Sequence, residues 1–245
     1  MEHIVKLITG RPLITCLVVG VVLMSMWWLK FRRKLNMKWY WAPILSVLYF
    51  VVSLISVKLL ALIEVGFDVE RAASMRLYGA IFVLPELSYF VAKRTKRDPA
   101  LVVDIMGVCA TIGLFAVRIN CLIAGCCDGV HIAHDSIARW PLVEMEMILC
   151  VVLCLYFWNK VYRRQTKGTA YPTIILIYGI FRFIIEWFRE EYTGQLWIFH
   201  SAHIWSIIAI VGSAIAIHII KKNSKKHVKR RESLHNEHGA NLKRR

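Results

Sequence analysis

Acid is what this chain has least of: 16 Asp and Glu stand against 32 Lys and Arg in 245 residues, a formal charge of +16. That imbalance would suit a polyanionic partner, but no nucleic-acid motif and no aromatic-interleaved basic face goes with it, so nucleic acid is excluded. The two-residue cysteine spacing of common metal sites is missing, and there is no internal repeat. No small-residue cleavage site follows the first apolar run, and the basic residues Lys30, Arg32, Arg33, Lys34 and Lys38 come after it rather than before. The run therefore reads as a retained anchor and not as a signal peptide.

What is present is grease. Hydrophobic residues make up 58% of the chain and the mean hydropathy is +0.52, far above a soluble domain. Apolar runs at 12–29, 42–63, 76–92, 99–125, 141–158, 171–189 and 202–220 each approach the ~20 residues that a membrane-spanning helix needs. The expected fold is all-α, a polytopic integral membrane protein with seven transmembrane helices over residues 1–220. A basic, disordered cytoplasmic tail is expected at 221–245. The segments after runs 1, 3, 5 and 7 hold 23 of the 32 Lys and Arg, which predicts an external N-terminus and a cytoplasmic C-terminus. Trp27, Trp28, Trp39, Trp41, Trp140, Trp158 and Trp197 lie near run ends, as interfacial belts do. The seven cysteines fall mostly inside apolar runs, where a thiol behaves as a small hydrophobe; only Cys126 and Cys127 are chemically placed.

Charges inside spanning helices are costly and mark functional positions. Arg118 lies about 30 Å along its run from Arg97, and Arg182 about 22 Å from Lys167, so both belong to the outer half of the bilayer. Tyr178, Arg182, Glu186 and Arg189 are spaced to share one helix face, as are Arg118, Cys121 and Gly125, with Gly125 permitting close approach. Lys58, Tyr78, Glu144, Glu146 and His203 also fall toward outer helix ends. The expectation is a cavity open to the outer leaflet in which guanidinium groups grip an anionic ligand such as phosphate. The structural alternative pairs Arg182 with Glu186 and Arg118 with an acid of another helix, simply joining the bundle. Cys126, Cys127, His131 and His134, with Asp128 or Asp135, leave three readings open: a metal clip, a disulfide, or reduced thiols facing substrate. His203 is expected to make an interfacial hydrogen bond. Glu86 has no obvious partner, and the adjacent Pro85 is expected to kink its helix.

At these residues the chain resembles the bacterial prolipoprotein diacylglyceryl transferase family, over about residues 74–212. Tyr178-Gly179-x-Phe181-Arg182-x-x-x-Glu186-x-Phe188-Arg189 is similar to the family element Tyr-Gly-x-Phe-Arg-x-x-x-Glu-x-x-Arg. Of the signature Arg-Ile-Gly-Asn-Phe-x-Asn-Gly-Glu and the Gly-Arg after it, Arg118, Ile119, Gly125 and Gly129 match. Asn120, Cys121, Ala124, Cys126 and Val130 replace the glycine, the two asparagines, the glutamate and the last arginine. Asp104, the segment Pro141 to Glu146, and His203 with Ser206 are supporting matches. Where the family has His-Gly-Gly, this chain has Tyr78-Gly79-Ala80.

The resemblance implies a multi-pass protein of the bacterial cytoplasmic membrane. Its reaction would move the diacylglyceryl group of phosphatidylglycerol, or of another anionic phospholipid, to the lipobox cysteine of a secreted precursor. No cofactor or metal is implied. Arg118 and Arg182 would hold the phosphate, Glu186 would orient Arg182, and Tyr78 would stand in for the catalytic histidine, although a phenol is a poor base at neutral pH. Tyr178, Arg189, Cys121, Gly125, Cys126, Glu146 and His203 would line the substrate site. Two rival functions follow from the departures: a transferase with another acceptor, using Cys121, Cys126 or Cys127 as nucleophile, and a non-catalytic lipid-binding paralogue.

Overall fold

The computed structural model describes residues 12–64, 66–67, 77–125, 127, 129–131, 139–189, 195–196 and 199–242. Its helices are α1 (Pro12–Phe31), α2 (Trp41–Glu64), α3 (Tyr78–Arg94), α4 (Pro99–Ala124), α5 (Leu142–Tyr162), α6 (Ala170–Ile185) and α7 (Ser201–Leu242). A 3-10 turn, Glu186–Phe188, prolongs α6, and a two-residue antiparallel ladder, β1 (Gln195–Leu196) on β2 (Phe199–His200), precedes α7. Five helices, α2, α4, α5, α6 with its turn, and α7, are long and apolar enough to cross a bilayer, so this is a multi-pass membrane protein. The first six helices fall within a few residues of the apolar runs. The seventh does not stop: its backbone stays helical to Leu242, where the composition suggested disorder. Residues 221–242 contain no proline and hold seven Lys and Arg, which favour helix once a preceding turn has nucleated it.

α4 is the hub, touching α1, α3, α5 and α6. Asp98 caps it by accepting the Ala100 N–H at 3.1 Å, Pro99 opens it, and Gly125 ends it with φ +61°. Aromatic packing fills the space around the hub. Trp27 donates to the Ile105 carbonyl at 3.2 Å and meets Trp158 at 4.1 Å, while Trp28 stacks on Tyr49 at 5.9 Å. Trp27 and Trp28 are thus buried in the core, not placed at the membrane surface as expected, because their run end packs against α4 and α5. Trp39, Trp41 and Trp140 are exposed, in keeping with an interfacial position, and Trp197 lies outside the described residues.

The bundle is polar at its two ends for opposite reasons. Lys34 donates to the Tyr162 carbonyl, Arg97 reaches the Asn36 carbonyl at 3.2 Å, and Arg164 lies 3.9 Å from Asp98. The basic segments after α1, α3 and α5 therefore gather at one end. At the other end Trp205 of α7 donates to Glu64 at the close of α2.

Two buried polar joints hold α6 between its neighbours. Asp104 of α4 accepts from Thr166 Oγ1 at 2.5 Å, Gly168 N at 2.7 Å and Ala170 N at 2.8 Å, so one carboxylate caps the N-terminus of α6 from another helix. Pro85 has no N–H to offer the Ile81 carbonyl, and the Tyr171 hydroxyl of α6 fills that place at 2.7 Å. Asp104→Ala strands three donors and is expected to cost about 2–3 kcal/mol, with Asp104→Asn costing less. Thermal unfolding of the purified protein in detergent checks it: equal midpoints for the wild type and the alanine variant would refute the capping role.

Candidate functional site

The end of the bundle opposite the basic segments is where the intramembrane charges meet. α4 brings Arg118 near its last turn, α5 brings Glu146 near its first, α6 brings Tyr178 and Arg182, and the turn after α6 brings Glu186 and Arg189. Glu146, 1% exposed, bridges both guanidinium groups: one oxygen pairs with Arg118 Nε and the other with Arg182 Nη1. Arg182 Nη2 also pairs with Glu186 at 2.9 Å, and Glu186 faces Arg189 at 3.7 Å. Among the described residues the lattice is Arg118, Glu146, Arg182, Glu186 and Arg189, three cations against two carboxylates. It carries one surplus positive charge away from water, where charge interactions are strong.

Hydroxyls surround that surplus. Tyr178, 3% exposed, lies in the field of Glu146, Arg182 and Arg118, yet its hydroxyl has no hydrogen-bond partner among the described residues. A buried orphan hydroxyl beside two guanidiniums is suited to a ligand oxygen. The Tyr78 hydroxyl meets Ser206 Oγ at 2.5 Å, and Ser206 gives its own proton to the Ala202 carbonyl at 2.8 Å. With the Ser206 proton committed to that carbonyl, Tyr78 is the donor in the pair.

The segment after α4 folds back over the end of α6. Gly129 bridges to Arg189, Val130 N donates to the Phe188 carbonyl at 2.8 Å, and Trp140 packs on Phe188 at 5.1 Å. A Cβ on Gly129 would sit 2.6 Å from the Trp140 backbone oxygen, so only glycine allows this approach.

Measured against expectation, Arg118, Arg182, Glu186, Arg189, Glu146, Tyr178 and Tyr78 do converge, and Cys121 lies 3.8 Å from Arg118 Nη1. In place of a cavity lined by unpaired arginines, however, both Arg118 and Arg182 are 8% exposed and ion-paired, because α5 inserts Glu146 between them. The pairing anticipated by the structural alternative is present. Among the described residues nothing lies within 4 Å of a Cβ at Gly125, whose left-handed backbone closes the helix. His203 is fully buried between Phe183 (5.1 Å) and Trp187 (4.8 Å). Glu144 is exposed and outside the cluster. Cys126, Asp128, His134 and Asp135 lie outside the described residues, while Cys127 is half-buried with φ +69° and adds to the charge field at Arg118. What sequence reasoning missed is the double role of Glu146. The available signal was its position four residues before Cys150 and seven before Leu153, on the buried stripe of α5.

A sequence model of the prolipoprotein diacylglyceryl transferase family matches residues 14–219. Over 125 residues the chain is 26% identical to phosphatidylglycerol–prolipoprotein diacylglyceryl transferase 2 of Clostridium perfringens (strain 13 / Type A), covering 44% of this chain and 48% of that one. Over 148 residues it is 22% identical to the phosphatidylglycerol–prolipoprotein diacylglyceryl transferase of Clostridium tetani (strain Massachusetts / E88), covering 55% and 59%. The chain spans about half the length of the curated relatives it matches.

Removing the bridge tests the geometry independently of any activity. Glu146→Leu leaves Arg118 and Arg182 facing one another with their shared counter-ion gone and is expected to destabilise the protein by about 3–5 kcal/mol. Glu144→Leu, on the exposed side of the same helix, is expected to fall within about 0.5 kcal/mol of wild type. Comparable unfolding midpoints for the two variants would overturn the bridging role.

Proposed function

The chain belongs to the prolipoprotein diacylglyceryl transferase family, whose model covers residues 14–219, and from that premise we propose that it transfers diacylglyceryl from phosphatidylglycerol to a precursor cysteine thiol. The observation that carries the reading to this chain is the buried lattice of three guanidiniums and two carboxylates. Its surplus of one positive charge matches the single negative charge of a phosphodiester.

In the reaction, Arg118 and Arg182 turn from Glu146 toward the lipid phosphate, and the Tyr178 hydroxyl donates to one of its oxygens. The precursor sulfur attacks the glycerol carbon that bears the phosphate ester. A carbon–sulfur bond forms, the carbon–oxygen bond breaks, and its electron pair leaves with glycerol phosphate, which also ends with the thiol proton. Charge builds on the departing phosphate, where the guanidiniums, with Arg189 at the mouth of the site, stabilise it more than they stabilise the bound lipid. Glu186 keeps Arg182 aligned, and the Tyr78 oxygen accepts from the incoming thiol and orients it. We place the protein in the bacterial cytoplasmic membrane with seven crossings, the N-terminus outside, the C-terminus in the cytoplasm, and the lattice at the outer end.

A second reading, lipid binding without turnover or transfer to another acceptor, is favoured by Tyr78. Its proton is committed to Ser206, and it stands where the family carries histidine. Phosphatidylglycerol vesicles with a lipobox peptide separate the two. The proposed reaction yields thioether-lipidated peptide and free glycerol phosphate, with Arg182→Ala reducing the rate about 10²- to 10³-fold. Lipid binding with no product, beside an active positive control, would sink it. Tyr78→His is expected to raise the transfer rate, and an unchanged or lower rate removes Tyr78 from the histidine's place.

A further inference from the structure

The end of the bundle away from the arginine lattice carries positive charge that the fold does not balance. Residues 30–38, 93–98 and 160–167 hold thirteen Lys and Arg against one acid, Asp98, and that acid caps α4 and faces Arg164. Two of these cations, Lys30 and Lys34, are set over the end of α5. The Lys30 ammonium lies 4.7 Å from the ring centre of Trp158 and 5.1 Å from that of Tyr162, and the Lys34 ammonium lies 3.6 Å from the Tyr162 ring. We propose that Lys30, Lys34, Trp158 and Tyr162 form a binding site for the headgroup of an anionic phospholipid, separate from the lattice at the other end of the bundle.

The two lysines stand on a fixed floor. Trp158 packs on Trp27 at 4.1 Å and Tyr162 meets Phe31 edge-on at 5.7 Å, and Trp27 and Phe31 are fully buried, so the ends of α1 and α5 are locked together. One donor of Lys34 is taken by the Tyr162 carbonyl. Like charges one helical turn apart repel, and the rings that hold these two attract each ammonium without cancelling its charge. Among the described residues neither lysine is ion-paired to a carboxylate. An ammonium has three donors, so both groups can still serve an acceptor from outside the chain.

The level of the site suits a lipid headgroup. α5 is long and apolar enough to cross a bilayer, and Trp158 and Tyr162 lie at its end, where such a helix leaves the hydrocarbon. α4 and α6, which also qualify, start at this same end of the bundle. A phosphodiester there presents two free oxygens, enough to accept from both ammonium groups, and the exposed Met26 and Leu155, one turn deeper, offer apolar surface to its chains. A zwitterionic lipid carries its own cation beside the phosphate, which the lysines repel, so the site selects headgroups of net negative charge.

The test titrates the full-length protein in detergent micelles with phosphatidylglycerol, and with phosphatidylcholine as the neutral probe, while native mass spectrometry counts the lipids retained. The double variant Lys30→Gln/Lys34→Gln is expected to retain one phosphatidylglycerol fewer than wild type, its affinity at that step lowered about tenfold. Arg33→Gln/Lys38→Gln, which removes two exposed cations of the same segment, is expected to match wild type. Unchanged retention by the first variant, or an equal loss from both, would overturn the proposal, the second outcome being that of a diffuse positive belt. So would equal retention of the two lipids by wild type. Displacement of phosphatidylglycerol by inorganic phosphate at millimolar concentration would overturn it too, since that assigns the lysines to a soluble anion. Unfolding midpoints without lipid establish that both variants fold. No turnover is measured, and lipid held at the arginine lattice is common to all three proteins, so the outcome is separate from that of the transferase assay.

Discussion

A single carboxylate shared by two guanidiniums is the interaction on which one end of this bundle depends. Arg118 and Arg182 come from different helices, and at their separation in a low-dielectric interior their repulsion would push α4 and α6 apart. Glu146 turns that repulsion into a bridge and brings α5 into the same joint. Glu186 and Arg189 then extend the chain of charges into the turn beyond α6. The site is therefore structural and chemical together: the groups suited to gripping an anion also close the bundle, and a ligand must compete with Glu146 for them.

The rest of the membrane interior follows the same economy. The buried carboxylate of Asp104 and the carbonyl freed by Pro85 each meet another helix, because water is not at hand to replace a missing partner. Asp104 satisfies the first donors of α6 from α4, and Tyr171 of α6 fills the carbonyl that Pro85 leaves open in α3. α6 is thus tied at its N-terminal end by Asp104 and at its other end by Glu146. The stretch from Ala170 to Arg182 is about 18 Å of rigid helix between the two ties. A carboxylate at the basic end of the bundle accordingly helps to set where a guanidinium stands at the other.

Periodicity made part of the site legible. The four- and three-residue steps through Tyr178, Arg182, Glu186 and Arg189 put these groups on one face whatever the tertiary packing, and the Arg182–Glu186 pair follows from them. Glu144 and Glu146 show where that reasoning ends. They are two residues apart in the same helix, about 200° apart around it, and only the rotation of α5 against α4 sends Glu146 inward and leaves Glu144 exposed. Trp27 fails for a related reason. Its position near a run end suggested the membrane surface, but it lies where neighbouring helices cover it.

The amino-acid sequence by itself determined that this is a membrane protein, where its helices begin and, but for the last, where they end, which arginines are out of place in lipid, and which family the chain resembles. Those are local properties: transfer free energy accumulates residue by residue, and a helix face is set by a fixed angular step. Only the tertiary structure decided that the arginines share Glu146, that Gly125 is a cap, that the hydroxyl of Tyr78 is spent on Ser206, and that Glu86 faces outward. Those depend on the order and rotation of helices far apart in the chain, which the packing of their side chains sets jointly and no single segment encodes.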